Sequence, residues 1–191
     1  RWDLDLFVNL RPIKLHAARF CPLKDTVPED VDMVVVRENT EDAYVHPAVF
    51  KDKGGPDEVA EQPMRYTRAG TERIIRYAFE LASARPRRKL TMVDKANAVR
   101  AQDLYTRVFA EVGGEFPEVE TDHAYIDAAC MWMVKNPACF DVVVTTNLFG
   151  DILTDLGAMV QGGMGVAASA NLHPGKLGLF EPIHGSFPKA A

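Results

Sequence analysis

The sequence predicts an α/β fold, and three observations carry that expectation. Apolar runs of strand length alternate with amphipathic runs of helix length. The strand-length runs are continuous and rich in β-branched residues, as in strands buried on both faces. Hydrophobic residues make up 47% of the 191, enough for the core of one domain or one and a half, and too many for a disordered chain.

Each element has its own reason. Residues 31–37 (VDMVVVR) form the first buried strand. Residues 45–64 hold Pro47, Gly54, Gly55, Pro56 and Pro63 among many charges, which predicts a long loop or projecting arm, open to a subunit contact. Thr67 can cap a helix whose Ile74, Ile75, Ala78, Phe79 and Ala82 share one face and which must end before Pro86. Residues 90–93 (LTMV) are a second strand. Leu104, Val108 and Val112 make a helical stripe stopped by Gly113 and Gly114. Ile126, Cys130, Met133 and Val134 make another, which ends before Pro137. Residues 140–146 (FDVVVTT) are a third strand. A fourth helix follows Gly150, with Ile152, Leu153, Leu156, Met159 and Val160 inward, and halts at Gly162-Gly163.

Composition excludes several function classes. A net charge of −5 argues against a nucleic-acid binder, whose footprint is basic. The cationic run from Arg85 to Lys89 is broken by Pro86 and reads as a solvated helix exit rather than a binding patch. No apolar run reaches membrane-spanning length, and no secretory signal pattern appears. Cys21, Cys130 and Cys139 have neither metal-type nor C-x-x-C spacing, and suit reduced core residues of a cytoplasmic protein. The chain opens on Arg1-Trp2-Asp3 and stops shortly after a glycine–histidine turn, which reads as a fragment of a longer protein.

The candidate chemistry is mostly charged. Asp151 and Asp155 stand four apart on one helix, where like charges repel. A divalent cation removes that repulsion, and oxygen donors without thiolate or imidazole favour magnesium or manganese. Two acids favoured by the dipole at a helix N-terminus explain the same spacing. Asp127 enters an otherwise apolar helix and needs a partner, either a metal or a basic group. Arg37 ends a buried strand ahead of Glu38-Asn39-Thr40-Glu41-Asp42-Ala43-Tyr44, and strand exits are where α/β folds place their sites. Arg1, Arg11 and Arg37 could each fork onto a substrate carboxylate or serve as a salt-bridge residue. Lys95 and Asn97 follow a second strand, and Lys95 is either a tuned acid–base group or a loop lysine. Residues 163–168 mimic a dinucleotide fingerprint, but they follow a helix and no acid stands about 20 residues on, so that match is rejected. Residues 181–186 (EPIHGS) are the better cofactor loop, because Gly185 permits close backbone approach.

Six motifs in order, NLRP, VVVRENTE-x-x-Y, DKAN, H-x-Y-x-D, NLFGDILTDL and FEPIHGS, resemble the isocitrate and isopropylmalate dehydrogenase family of β-decarboxylating enzymes. DKAN and QGGMGVAAS place the likeness nearest the isopropylmalate branch, with tartrate or D-malate, homoisocitrate and isocitrate enzymes, or a non-catalytic regulatory subunit, as alternatives. The resemblance implies the family's own α/β fold, which is not a Rossmann fold, present only in part. Residues 1–6 would end a large-domain segment, 7–162 would form the small domain that binds substrate and metal and dimerises, and 163–191 would return into the large cofactor domain. Roughly the first hundred residues and most of the last quarter of such a protein would lie outside this chain.

The resemblance also implies roles. Arg1, Arg11 and Arg37 would hold the substrate carboxylates, with Asn97 and Asp127 also at the substrate. Asp127, Asp151 and Asp155 would ligate Mg2+ or Mn2+. Asp127 and Lys95 would reach in from the neighbour of a homodimer with shared sites. Lys95 would help deprotonate the substrate hydroxyl, and Tyr44 would protonate the product after carbon dioxide leaves. His184, Gly185 and Ser186 would begin the loop around NAD. The implied activity is NAD- and metal-dependent oxidative decarboxylation of a 2-hydroxy acid, 3-isopropylmalate first, as in leucine biosynthesis. Two departures stand out: Asp42-Ala43 follows Glu41 where the family usually has glycine, and Lys189 stands where many members carry an acid.

Overall fold

The computed structural model describes residues 3–183. Its strands are β1 (Val8–Lys14), β2 (Asp32–Glu38), β3 (Val49–Lys51), β4 (Val59–Glu61), β5 (Lys89–Asp94), β6 (Glu120–Tyr125), β7 (Val142–Thr145), β8 (Ala168–His173) and β9 (Leu177–Pro182). The helices are α1 (Arg68–Ala84), α2 (Asp103–Gly113), α3 (Ile126–Lys135) and α4 (Asn147–Val160). Seven strands form one mixed sheet in the order β6-β5-β7-β2-β1-β8-β9. β6, β5, β7 and β2 run parallel, and β1, β8 and β9 add antiparallel pairs on the other side.

Alternation along each strand sends side chains to opposite faces. Val8, Val36, Leu90, Met92, Val142 and Val144 pack under α1 and α2 with Ile74, Ile75, Phe79 and Val108. Ile13, Met33, Val35, Val93 and Val143 pack with Met133 of α3 and Leu153 of α4. The central strands are therefore covered on both sides, which is why they read as unbroken apolar runs.

The predicted strands at 31–37, 90–93 and 140–146 correspond to β2, β5 and β7. Thr67 caps α1 by accepting the Gly70 N–H at 3.0 Å, and α1 ends two residues before Pro86. Residues 45–64 form an exposed arm holding the hairpin of β3 and β4.

Three expectations need correction. α4 begins at Asn147 rather than after Gly150, so Asp151 lies beyond its first turn. The attraction of acids to a helix N-terminus fades past the first turn, which weakens the dipole explanation of Asp151 and Asp155. Ile152 and Met159 of α4 and Val134 of α3 point outward, with exposures of 53%, 53% and 46%. The Arg85 to Lys89 run is a clamp rather than a solvated exit. Arg85 pairs with Asp32 and the buried Asp141, Arg87 donates to the carbonyls of Ala138 and Phe140, and Lys89 pairs with Glu120 and Asp122. No helix among the described residues is long and apolar enough to cross a membrane.

Candidate active site

Several of the polar residues singled out in the sequence lie at the carboxyl ends of the parallel strands. Arg37 lies near the end of β2, Lys95 follows β5, Asp127 follows β6, and Asn147 follows β7 by one intervening residue. Open α/β sheets leave a crevice there, because strand ends diverge as their connections turn away.

One cluster joins β1, β2 and α4. Arg37 is 3% exposed and held from two directions. Its Nε and Nη2 donate to Asn147 Oδ1 at 3.0 and 2.7 Å, while Nη1 pairs with the Asp151 carboxylate. The Tyr44 hydroxyl donates to the other Asp151 oxygen at 2.7 Å, and the Arg37 guanidinium lies 5.5 Å from the centre of the Tyr44 ring. Arg11 enters from β1, where its Nε donates to Asn9 Oδ1 at 2.8 Å. Asn9 in turn donates to Ser169 and Asn171 of β8, so Arg11 rests on a buried polar row that crosses from β1 to β8. Gly150 makes this packing possible: a Cβ there would stand 2.6 Å from Arg37 Cγ.

Electrostatics follow from that packing. Burial alone would raise the Asp151 carboxyl, but the Tyr44 hydrogen bond and the charges of Arg37 and Arg11 outweigh it and hold the carboxyl below the usual aspartate value. Tyr44 moves upward, through partial burial and then its bond to the Asp151 carboxylate, so it keeps its proton. Arg11 is lowered by burial and by the like charge of Arg37, against the pull of Asp151, Asp155 and Glu181. Asp155 is exposed one helical turn beyond Asp151.

A second cluster stands at β5 and β6. Lys95 Nζ donates to Asp127 Oδ1 at 2.6 Å and lies 5.7 Å from the centre of the Tyr125 ring. Asp127 is exposed in the first turn of α3, not sunk among apolar side chains as the sequence suggested. The Lys95 hydrogen bond holds its carboxyl below the usual range. Asn97 is exposed in the turn after Lys95.

The structure thus brings Arg11, Arg37, Tyr44 and Asp151 together, and Lys95 with Asp127. Among the described residues no third carboxylate, histidine or cysteine joins Asp151 and Asp155, so Asp127 of the same chain does not complete their group. Two carboxylates one turn apart suit a hard cation that takes its remaining oxygen ligands from elsewhere. Arg1, His184, Gly185, Ser186 and Lys189 lie outside the described residues. Residues 163–168 run through a short 3-10 turn into β8 rather than into a helix, in line with rejecting them as a dinucleotide fingerprint.

Asn147 and Asn9 were missed by the sequence reading, which noted Asp42 only as a departure from glycine. Asn147 stands directly before the Leu-Phe-Gly-Asp run, a place where asparagine reads as an ordinary helix start. Asp42 is fully buried at φ +76°, a conformation that glycine adopts freely and aspartate tolerates. Its carboxylate accepts the N–H groups of Ala43 and Leu148 and the Tyr66 hydroxyl, which is how a residue other than glycine is accommodated there.

Comparison with known proteins finds relatives along the whole chain. The sequence profile of the family described as isocitrate/isopropylmalate dehydrogenase matches residues 1–191. A 3-isopropylmalate dehydrogenase from Thermobifida fusca is 50% identical over 100% of this chain and 55% of its own length. The protein of that name from Corynebacterium glutamicum is 48% identical over 100% of this chain and 56% of its own. The crystal structure of isocitrate dehydrogenase from Methylococcus capsulatus superposes with a TM-score of 0.88 at 41% identity, covering 99% of this chain and 54% of that one. The chain therefore spans about half the length of the curated relatives it matches. With a profile that matches from end to end and relatives at this identity, the chain belongs to the isocitrate/isopropylmalate dehydrogenase family.

Proposed function

We propose that this chain carries much of the active site of an NAD- and divalent-metal-dependent dehydrogenase that oxidatively decarboxylates 3-isopropylmalate in a cytoplasmic, leucine-forming pathway. The observation that carries the reading is the Asp151 carboxylate, held between Arg37 and the Tyr44 hydroxyl with Arg11 alongside. The choice of isopropylmalate over isocitrate, tartrate or D-malate rests on the relatives at 48% and 50% identity that bear that name.

Asp151 and Asp155, with Asp127 of a second copy, would hold Mg2+ or Mn2+. The cation supplies Lewis acidity at the substrate hydroxyl and offsets charge once carbon dioxide departs, and NAD, met by His184, Gly185 and Ser186, supplies the hydride acceptor. The chain's own groups do the rest. Arg11 and Arg37, with Arg1, fork onto substrate carboxylates and fix the leaving one in line. Lys95 of the second copy takes the hydroxyl proton, with Asn97 beside the substrate. Tyr44, which is protonated beside Asp151, returns a proton to carbon.

The second copy would dock on α3 and α4, where Trp132, Val134, Ile152 and Met159 expose apolar surface. Residues 7–162 would then be the substrate and dimer unit, with 163–191 leading back to the cofactor domain. The test uses the whole protein and follows NADH formation with isopropylmalate, isocitrate, tartrate and D-malate. Turnover should be highest with isopropylmalate, stop on chelation, and return with Mg2+ or Mn2+. Better turnover of another acid, or chelator-resistant activity, sinks the reading.

A further inference from the structure

A chain of hydrogen bonds joins the two clusters within one protomer. It starts at Lys95, whose main-chain N–H donates to Gln102 Oε1 at 2.7 Å. Gln102 Nε2 donates to the Tyr66 hydroxyl at 2.8 Å, and that hydroxyl donates to Asp42 Oδ1 at 3.0 Å. Asp42 Oδ2 accepts the N–H of Leu148, the second residue of α4, at 3.0 Å. Gln102 and Asp42 are fully buried, and the Tyr66 ring packs edge-on against buried Tyr105 at 5.5 Å.

The direction of this chain is fixed. An ionised carboxylate only accepts, a phenol has one proton to give, and the amide offers its oxygen to Lys95 and its nitrogen to Tyr66. Burial and the Asp42 charge keep the Tyr66 proton in place. Low local polarity strengthens each link and makes any broken one costly. The Asp42 backbone is anchored as well: its N–H donates to the Arg65 carbonyl at 3.1 Å, and its own carbonyl accepts the Val45 N–H at 3.3 Å, just past Tyr44. One side chain therefore touches the loop of Tyr44, the first turn of the Asp151 helix and, through two relays, the turn of Lys95. Glycine at this position would keep the two main-chain bonds and supply none of the side-chain links.

We propose that Asp42 is a positioning residue, which acts through Tyr66 and Gln102 to set Lys95 against the Tyr44 loop and α4. The inference rests on the roles proposed above for Tyr44, Lys95 and Asp151. In a homodimer it makes the geometry that one chain lends to its own site depend on the geometry it lends to its partner's.

The test compares Asp42→Gly, which suits the local φ, Tyr66→Phe, which keeps the cap on Leu148, and the off-path control Tyr77→Phe, all in the whole protein. Deuterium uptake of the peptide carrying the Lys95 amide is read alongside steady-state kinetics. Asp42→Gly and Tyr66→Phe should each speed Lys95 exchange about tenfold and lower kcat about tenfold, with KM within about twofold. Asp42→Asn, which keeps an acceptor and tolerates the same φ, should recover part of both, and Tyr77→Phe should match the wild type. Unchanged Lys95 exchange in both relay variants overturns the coupling, and faster exchange with unchanged kcat overturns the positioning role. If the wild-type protein leaves isopropylmalate untouched, the functional reading falls, while the exchange comparison still decides whether Asp42 is coupled to Lys95.

Discussion

At Asp151 two donors share one carboxylate, one on each oxygen. The Arg37 pair and the Tyr44 bond keep it ionised, so its stabilising share is present above the ordinary aspartate value of about 3.9 and fades as pH falls below it. Asn147 is the residue on which this depends, since its one oxygen takes two Arg37 donors while its amide holds the Glu41 carbonyl at 3.0 Å. Asn147→Ala should raise KM for the acid substrate and lower stability by about 1.5–3 kcal/mol, read from kinetics and urea midpoints. Gly150→Ala should displace Arg37 without removing any polar group, raising KM at least as much while the overall circular dichroism stays unchanged. Arg37 and Asp151 were legible as chemistry because charge next to an apolar strand or on one helix face is conspicuous. Asn147 was not, because a neutral amide that serves an arginine looks like any helix-start asparagine.

Among the elements, α4 is pressed against the sheet by its small residues. A Cβ on Gly157 would overlap Ile13 Cδ1, so a larger residue fits only if the Ile13 side chain on β1 gives way. That close seating lifts Ile152 and Met159 out of the core, which a helical-periodicity reading had placed inward. If the homodimer proposed above forms through α3 and α4, Ile152→Glu should shift the whole protein from dimer to monomer in sedimentation, with little change in its urea midpoint at dilute concentration. A variant that stays dimeric would place the subunit contact elsewhere. The buried strands and all four helices could be read from pattern, whereas β1, β6, β8 and β9 could not. β1 contains Pro12, which ordinarily argues against a strand; it pairs with β8 only as far as Leu10, just short of that proline. β6 is an exposed strand of sequence ETDHAY, paired among the described residues only to β5, and it shows no apolar run to find.

For the molecule as a whole, Arg85 ties the exit of α1 to the entrances of β2 and β7. Asp141 is fully buried and takes Arg85 Nε at 2.5 Å and the Lys89 N–H at 3.2 Å. Arg85→Met leaves that carboxylate without its cation and should cost about 3–5 kcal/mol in urea unfolding. The Asp32 carboxyl is held low first by its bond from Arg85, so its contribution is present above its unfolded value and lost as pH falls through its folded one. The variant should accordingly lose less stability than the wild type between pH 6 and pH 3. The separation of the Lys95–Asp127 pair from the Tyr44–Asp151 cluster also has a genetic reading. If each active centre takes one group from either protomer, a chain defective at Lys95 and a chain defective at Tyr44 are each inactive as homodimers. A mixed dimer then has one doubly damaged centre and one intact centre. Random pairing would return about a quarter of wild-type activity. Two null alleles should therefore complement one another in the same cell, and a strain carrying both should grow without leucine where neither parent can.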